Sequence, residues 1–271
     1  MDKQKLEDAL LNGMKKIDSM QGVVELEKIA SSVPKWLSDH FQMEHSNPSP
    51  SSINRCRSQQ FYYAKGVELE NEPPISWKRR AAIGIMAEAY WYAVFNLSGY
   101  RLLFPSIYKC GVNMLAHPDA LLVEGLIPVE FKDKTGFQYK KLIEGAKLAE
   151  FDSGEYSQLQ LYMYVTNTSE SIYLAAPADP QMLQTTMRQK KQYGNEYNLP
   201  PFYLEVVNRN DKYIEYLLNR ADILTEDLKS DSVPPREYLG LAVDKGGHKV
   251  FPCYYCPFIE RCQKDQGVPR W

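Results

Sequence analysis

At 271 residues, 44% hydrophobic and 24% charged, the chain is long and apolar enough to bury a large core, and no apolar run reaches the length of a membrane span. A net charge of −2 lends no support to a passive polyanion binder, which is usually basic, but leaves room for an enzyme with acidic ligands beside local basic patches. The charged start Met-Asp-Lys-Gln-Lys-Leu-Glu-Asp is not a secretory signal, so a cytoplasmic location is expected, and five cysteines then favour metal ligation or free thiols over disulfides.

Two helices are expected within 3–33. Leu6, Leu10, Leu11, Met14 and Ile17 recur at helical spacing, and Val23, Leu26, Ile29, Ala30 and Val33 resume it after a break at Gly22. Pro34 interrupts the pattern, with a short helical piece around Trp36, Leu37 and Phe41 beyond it. The polar, proline-rich stretch 46–52 reads as a linker that offers Ser51 or Ser52 as the N-cap of a helix over Ile53–Lys65. Ser76 is a candidate cap for a longer, mostly buried helix over Trp77–Asn96, rich in alanine and aromatics.

From Gly99 to Lys134 the pattern turns to short strands at Leu102–Ile107, Gly111–Leu115, Ala120–Val123 and Leu126–Lys132, with Glu124-Gly125 as a hairpin turn. Then come a helix over Gly154–Asn167, a strand over Ile172–Ala176 and a helix starting near Asp179 or Pro180. A strand over Phe202–Val207, a helix over Lys212–Lys229 and an irregular tail from Pro234-Pro235 complete the chain. Helices flanking a run of strands predict a mixed α/β core.

Two constellations carry chemistry. Asp119 follows a proline, Glu130 lies on the next strand, and Lys132 shares a face with Glu130 because strand side chains alternate. Val129 and Phe131 then face the core. Two carboxylates and an ammonium on one platform suit a hard divalent cation such as Mg²⁺ or Mn²⁺ and phosphoryl chemistry. The plainer alternative is a solvated strand face with Asp119 as a turn residue, and Pro128 implies an edge or a strand start.

The second constellation is Cys253, Cys256 and Cys262, spaced C-x2-C-x5-C, which needs a fourth ligand to close a tetrahedral thiolate site. Cys56 and His248 are the candidates: His248 would make a Cys3His zinc knuckle, and Cys56 would tie the tail to an upstream helix. Cys110 reads as a small buried hydrophobe. Gln158 and Tyr162 sit one helical turn apart on one face, amid enough leucine and methionine to be half-buried core. Arg55–Lys65, Lys78-Arg79-Arg80 and Arg188–Tyr193 could guide a single strand by charge and stacking, or be ordinary solvated helix faces.

In order, these residues resemble the PD-(D/E)xK nuclease superfamily, in its RecB-like iron–sulfur branch, which includes the AddB nuclease domain and the fourth CRISPR-associated (Cas) family. Ser51–Tyr63 resembles the opening helix with the first cluster cysteine, Cys56. Pro118-Asp119, Glu130-Phe-Lys132 and Lys134-Thr-Gly136 resemble the metal motifs, Gln158-x3-Tyr162 the Q-x3-Y motif, and Cys253, Cys256 and Cys262 the closing cysteines. The likeness runs from about Ser51 to Cys262.

That resemblance implies a restriction-endonuclease-like core, a central mixed sheet flanked by helices, over 51–271, with 1–50 as an N-terminal helical extension. It implies a [4Fe-4S] cluster on Cys56, Cys253, Cys256 and Cys262 as a C-terminal clasp, and Mg²⁺ or Mn²⁺ on Glu88, Asp119, Glu130 and the Phe131 carbonyl. Glu88 stands where the family often places a histidine. Its simpler role is a helix carboxylate satisfied by Arg79 or Arg80. Lys132 would support the attacking water, and Gln158 and Tyr162 would touch DNA or brace the catalytic residues. The implied activity is a DNA exonuclease on single strands or free ends. A homo-oligomer, or a recombination or CRISPR-adaptation partner, is compatible with it, and no membrane is. A DNA-binding scaffold of the same fold, with a Cys3His zinc site and no catalysis, is the alternative.

Overall fold

The computed structural model describes residues 1–17, 19–31, 48–70, 75–104, 107–111, 114–178, 200–235, 237, 253 and 256–266, with backbone only at 30, 75–82 and 85. Among them the expected helical piece near Phe41, the helix near Asp179, His248, the stretch Arg188–Tyr193 and the side chains of Ser76 and Lys78-Arg79-Arg80 do not fall.

The chain opens with α1 (Lys3–Lys16) and α2 (Met20–Ala30). The break lies at 17–19 rather than at Gly22, because the Ser19 hydroxyl accepts from the Gly22 N–H and caps α2. Gly22 is needed for another reason: a Cβ there would stand 2.1 Å from the Ile17 carbonyl oxygen, so the turn closes only over glycine. Next come α3 (Arg57–Ala64) and α4 (Ile75–Leu97). Helix α3 starts four residues later than expected, with Cys56 as its N-cap. Ser52 instead closes a turn, its hydroxyl accepting from the Ser49 N–H and its N–H donating to the Ser49 carbonyl.

Five short strands follow: β1 (Leu102–Leu103), β2 (Tyr108–Cys110), β3 (Met114–Ala116), β4 (Ala120–Leu122) and β5 (Ile127–Lys134). The β4–β5 turn spans 123–126, with Gly125 and Leu126 at positive φ. Two small helices not expected from the sequence come next, α5 (Gly136–Ile143) and α6 (Leu148–Phe151). The signal for α5 was present: Thr135 and Gln138 form a capping box. Then come α7 (Ser153–Thr166), β6 (Glu170–Pro177), β7 (Tyr203–Asn208), α8 (Asp211–Lys229) and a further unexpected helix, α9 (Ile259–Asp265).

The main sheet has the order β1-β4-β5-β6-β7, with β5–β6 parallel and the other pairs antiparallel, so β5 is central. Strands β2 and β3 make a separate hairpin. Pro128 is the second residue of β5, and pairing to β6 begins only at Val129↔Ile172, so its missing N–H costs no ladder bond.

Both faces of the sheet are covered. One face presents Val129, Phe131, Ile172 and Leu174 to a core shared with α1, α2 and α4, where Leu6, Leu10, Trp91, Val94 and Phe95 are buried. The other presents Tyr173 and Ala175 to α7, α8 and the β2–β3 hairpin. Glu130, on this second face, is therefore interior, and the reading of a solvated strand face is overturned because α7 lies over it. Helix α4 is buried at Ala89, at Trp91–Phe95 and at Leu97, while Ile83 and Met86 nearer its start are exposed. Cys110 is fully buried, as expected of a small hydrophobe. The fold is thus mixed α/β, a central mixed sheet flanked by helices.

Candidate active site

The acidic residues meet where β4 runs out. The β4–β5 ladder ends at Ala120↔Val129, and the Asp119 side chain takes over, its Oδ2 accepting from the Phe131 N–H at 2.8 Å. A strand residue's N–H and C=O share a side, so the Phe131 carbonyl faces the same free edge. The Asp119 backbone is held as well: the Tyr92 hydroxyl of α4 donates toward its carbonyl (3.0 Å), shared with the Leu103 carbonyl (3.2 Å).

Glu130 is 0% exposed. The Lys132 ammonium donates to its Oε1 and lies 4.0 Å from Asp119 Oδ2, while Glu130 Oε2 has no hydrogen-bond partner. A buried carboxylate oxygen left unpaired is expensive, which marks the position as one built for something other than stability. Burial raises the Glu130 carboxyl above its ordinary range, Asp119 raises it further, and Lys132 opposes both. Glu88 from α4 is raised in the same way, by burial, then by Asp119, with Glu130 and Asp133 adding and Lys132 opposing. Asp119 thus makes both Glu88 and Glu130 harder to ionise, which places the three in one electrostatic neighbourhood. Burial would lower Lys132, but Glu130, Asp119 and Glu155 together raise it.

Glu88 and Lys132 line a cleft of about 780 Å³ whose walls are α4 (Ile83, Gly84, Ala87, Trp91) and the β5–α5 junction (Phe131, Asp133, Thr135, Gly136, Gln138). Among the described residues no three His, Cys, Asp or Glu side chains already stand as a metal site. In the protein chain alone, Lys132 supplies the positive charge beside Glu130. The donor set nonetheless suits a hard divalent cation: all-oxygen ligands, mutually repelling carboxylates and an unpartnered Oε2.

Gln158 and Tyr162 of α7 are buried. Gln158 Nε2 donates to the Tyr162 hydroxyl (2.6 Å), which donates to the His117 carbonyl (2.7 Å), two residues ahead of Asp119. With Tyr162 at 2% exposure, its reach is to the hairpin backbone.

Sequence reasoning missed the charges beneath this site. Lys134, 3% exposed, donates to Glu155 Oε1 (2.7 Å) and Asp152 Oδ2 (3.3 Å), and the Tyr173 hydroxyl donates to Glu155 Oε2 (2.6 Å). Asp152 also caps α7 through Oδ1, accepting from Gly154 and Glu155 N–H. The signal was Asp152-Ser-Gly-Glu155, the cap-x-x-Glu pattern of a helix start.

Cys56 is the N-cap of α3, and Cys253, Cys256 and Cys262 lie in the tail that packs on this helix. All five are free thiols. Cys256 is raised to about 11, mainly by burial, with the Phe258 N–H opposing and Cys262, Cys56 and Cys253 adding; among the described residues the cysteines do not stand as a ready metal site. Cys256 N–H donates to the Cys253 carbonyl (3.0 Å), and Cys262 lies on α9. Phe258, fully buried, packs on Tyr62 and Tyr63 of α3 with ring centroids 5.4 and 4.7 Å away. The Glu70 carboxylate accepts from the Glu260 and Arg261 N–H groups, and Arg57 pairs with Asp227 at 2.6 Å. Thiolate-only ligands in an apolar shell suit an iron–sulfur cluster or zinc.

Among the described residues no helix is long and apolar enough to cross a membrane. No family model matches the sequence, and no curated protein matches it. Several solved structures resemble the chain, three of them as follows. An alkaline exonuclease from Laribacter hongkongensis has 12% identity and a TM-score of 0.46, over 67% of this chain and 87% of its own. The structure of SSO0001 has 16% identity and a TM-score of 0.47, over 91% and 98%. A phage-related exonuclease from Haemophilus somnus 129PT has 11% identity and a TM-score of 0.43, over 65% and 79%. Likenesses at this level carry no weight for activity, which rests on the site itself.

Proposed function

We propose that the protein is a divalent-metal-dependent DNA nuclease of the PD-(D/E)xK type, an exonuclease on single-stranded DNA or DNA ends. The observation that carries this reading is Glu130: fully buried, one oxygen unpaired, and grouped with Asp119, Glu88 and Lys132 at the edge of a cleft. Glu88, Asp119, Glu130 and the Phe131 carbonyl would hold Mg²⁺ or Mn²⁺, which when bound supplies Lewis-acid activation of a phosphodiester and of water. Lys132 orients the attacking water and offsets charge developing at phosphorus. The Phe131 N–H fixes the Asp119 carboxylate, and Gln158 and Tyr162 fix the hairpin that carries it. Residues 51–271 form the nuclease domain in this reading, and 1–50 a helical extension.

A [4Fe-4S] cluster on Cys56, Cys253, Cys256 and Cys262 would tie α3 to the tail; the thiolate chemistry of these residues and the electrostatic influence of the other three on Cys256 support it. Its role would be structural, since hydrolysis moves no electrons. The test is degradation of end-labelled single-stranded, blunt duplex and nicked circular DNA with Mg²⁺, Mn²⁺ or EDTA. Metal-dependent release of short products from linear DNA is expected. No degradation of any form with either metal would overturn the proposal.

A further inference from the structure

Between two residues that line the cleft stands an exposed aromatic that hydrolysis itself does not need. Phe137, in the first turn of α5, is 71% exposed, and its neighbours Thr135, Gly136 and Gln138 line the same cleft as Glu88 and Lys132. The Lys141 ammonium lies over the ring, 4.6 Å from its centroid, at cation–π distance. Across the cleft, Ile83 of α4 lines the opposite wall and is also exposed. A lone exposed apolar residue needs no explanation. Here an exposed ring with a cation over it sits in the chain between Gly136 and Gln138, two residues of a cleft that Glu88, Lys132 and the apolar Ile83 also line.

We infer that Phe137 is a base-stacking platform that selects unpaired nucleotides, with Lys141 beside it meeting the phosphate backbone; this rests on the nuclease reading above. A base inside a duplex has both faces covered by its neighbours, so only an unpaired or terminal base can offer a face to the ring. A phosphate drawn toward Lys132 leaves its base free to reach past Gly136 and Gln138 of the cleft wall to the exposed ring between them. Stacking on an aromatic accepts any base, so the selectivity is for strand state and not for sequence.

The test measures affinity, in a Lys132→Ala background that does not cleave, for a fluorescent single-stranded decamer and for the same strand with abasic sites throughout. The base-bearing strand should bind more tightly by about 5- to 150-fold, the range spanned by alanine substitution of a stacking aromatic. Adding Phe137→Ala should bring the ratio close to one, and Phe137→Trp should preserve it. Because Phe137 is exposed, its variants should melt as the parent does. An unchanged ratio in the Phe137→Ala protein overturns the assignment while leaving cleavage by the wild type intact. If the wild type neither binds nor cleaves either strand, the nuclease reading itself has failed, and the stacking role falls with it.

Discussion

Replacing Lys134 by methionine should be among the more damaging single changes outside the catalytic residues. The substitution keeps the length of the side chain but removes an ammonium that is 3% exposed and satisfies Glu155 and Asp152 together. Removing one partner of a buried pair costs about 3–5 kcal/mol, because the charge left behind has lost both water and counter-ion. Asp152 is partly solvated, and Glu155 keeps the Tyr173 hydroxyl, so the low end applies, about 3 kcal/mol. For a chain of this size that corresponds to a fall in Tm of roughly 6–12 °C. Urea unfolding followed by circular dichroism measures the loss, and Glu155→Gln with the double variant completes a cycle. The double variant should recover part of the loss, with a coupling of about 1–2 kcal/mol. Additive single losses, or a Lys134→Met cost under about 1 kcal/mol, would refute the reasoning.

Four further outcomes follow. Anaerobically purified wild type should be brown, with broad visible absorption and iron, and Cys56→Ala should lose both; a colourless wild type with stoichiometric zinc would sink the cluster. Tyr162→Phe removes the hydroxyl that holds the His117 carbonyl, so stability should fall by about 0.5–1.5 kcal/mol and turnover should drop, measured by denaturation and by steady-state degradation of labelled DNA. Phe258→Ala empties a fully buried ring site between α3 and the tail and should cost about 3–5 kcal/mol in urea unfolding. Burial would push the Glu237 carboxyl up, but hydrogen bonds and charge from Arg220, with help from Arg57, hold it below its ordinary value. A lowered carboxyl stabilises the fold above its unfolded value and loses that contribution as pH falls through the folded one. Stability measured from pH 6 down to pH 3 should therefore fall less steeply in Glu237→Gln than in wild type.

Much of the site was legible in the sequence for local reasons. Alternation places Glu130 and Lys132 on one face of β5 and Phe131 on the other, and the proline before Asp119 marks the entry to β4. Strand alternation does not say what lies over each face, so the burial of Glu130 under α7 could not be read from its own segment. The same limit hid the partners of Lys134: its place in a motif does not say that Glu155 and Asp152 arrive from another element to pair with it. Short elements were the least legible. Strands of two or three residues such as β1 to β4 carry too few alternations to fix their ends, and α6, with four residues, has no period to detect. The cysteine spacing offered three candidate ligands, but spacing alone does not say which distant residue would be the fourth.

The most direct measurement is the rate at which purified wild type and Lys132→Ala degrade end-labelled single-stranded DNA in Mn²⁺ or Mg²⁺. The ammonium neutralises a fully buried carboxylate and stands beside Asp119, so its loss should abolish most of the metal-dependent degradation, by about 100-fold or more. Circular dichroism of the variant separates that effect from unfolding. Equal degradation by a folded Lys132→Ala protein would contradict the assignment of Asp119, Glu130 and Lys132 as the residues that cut DNA.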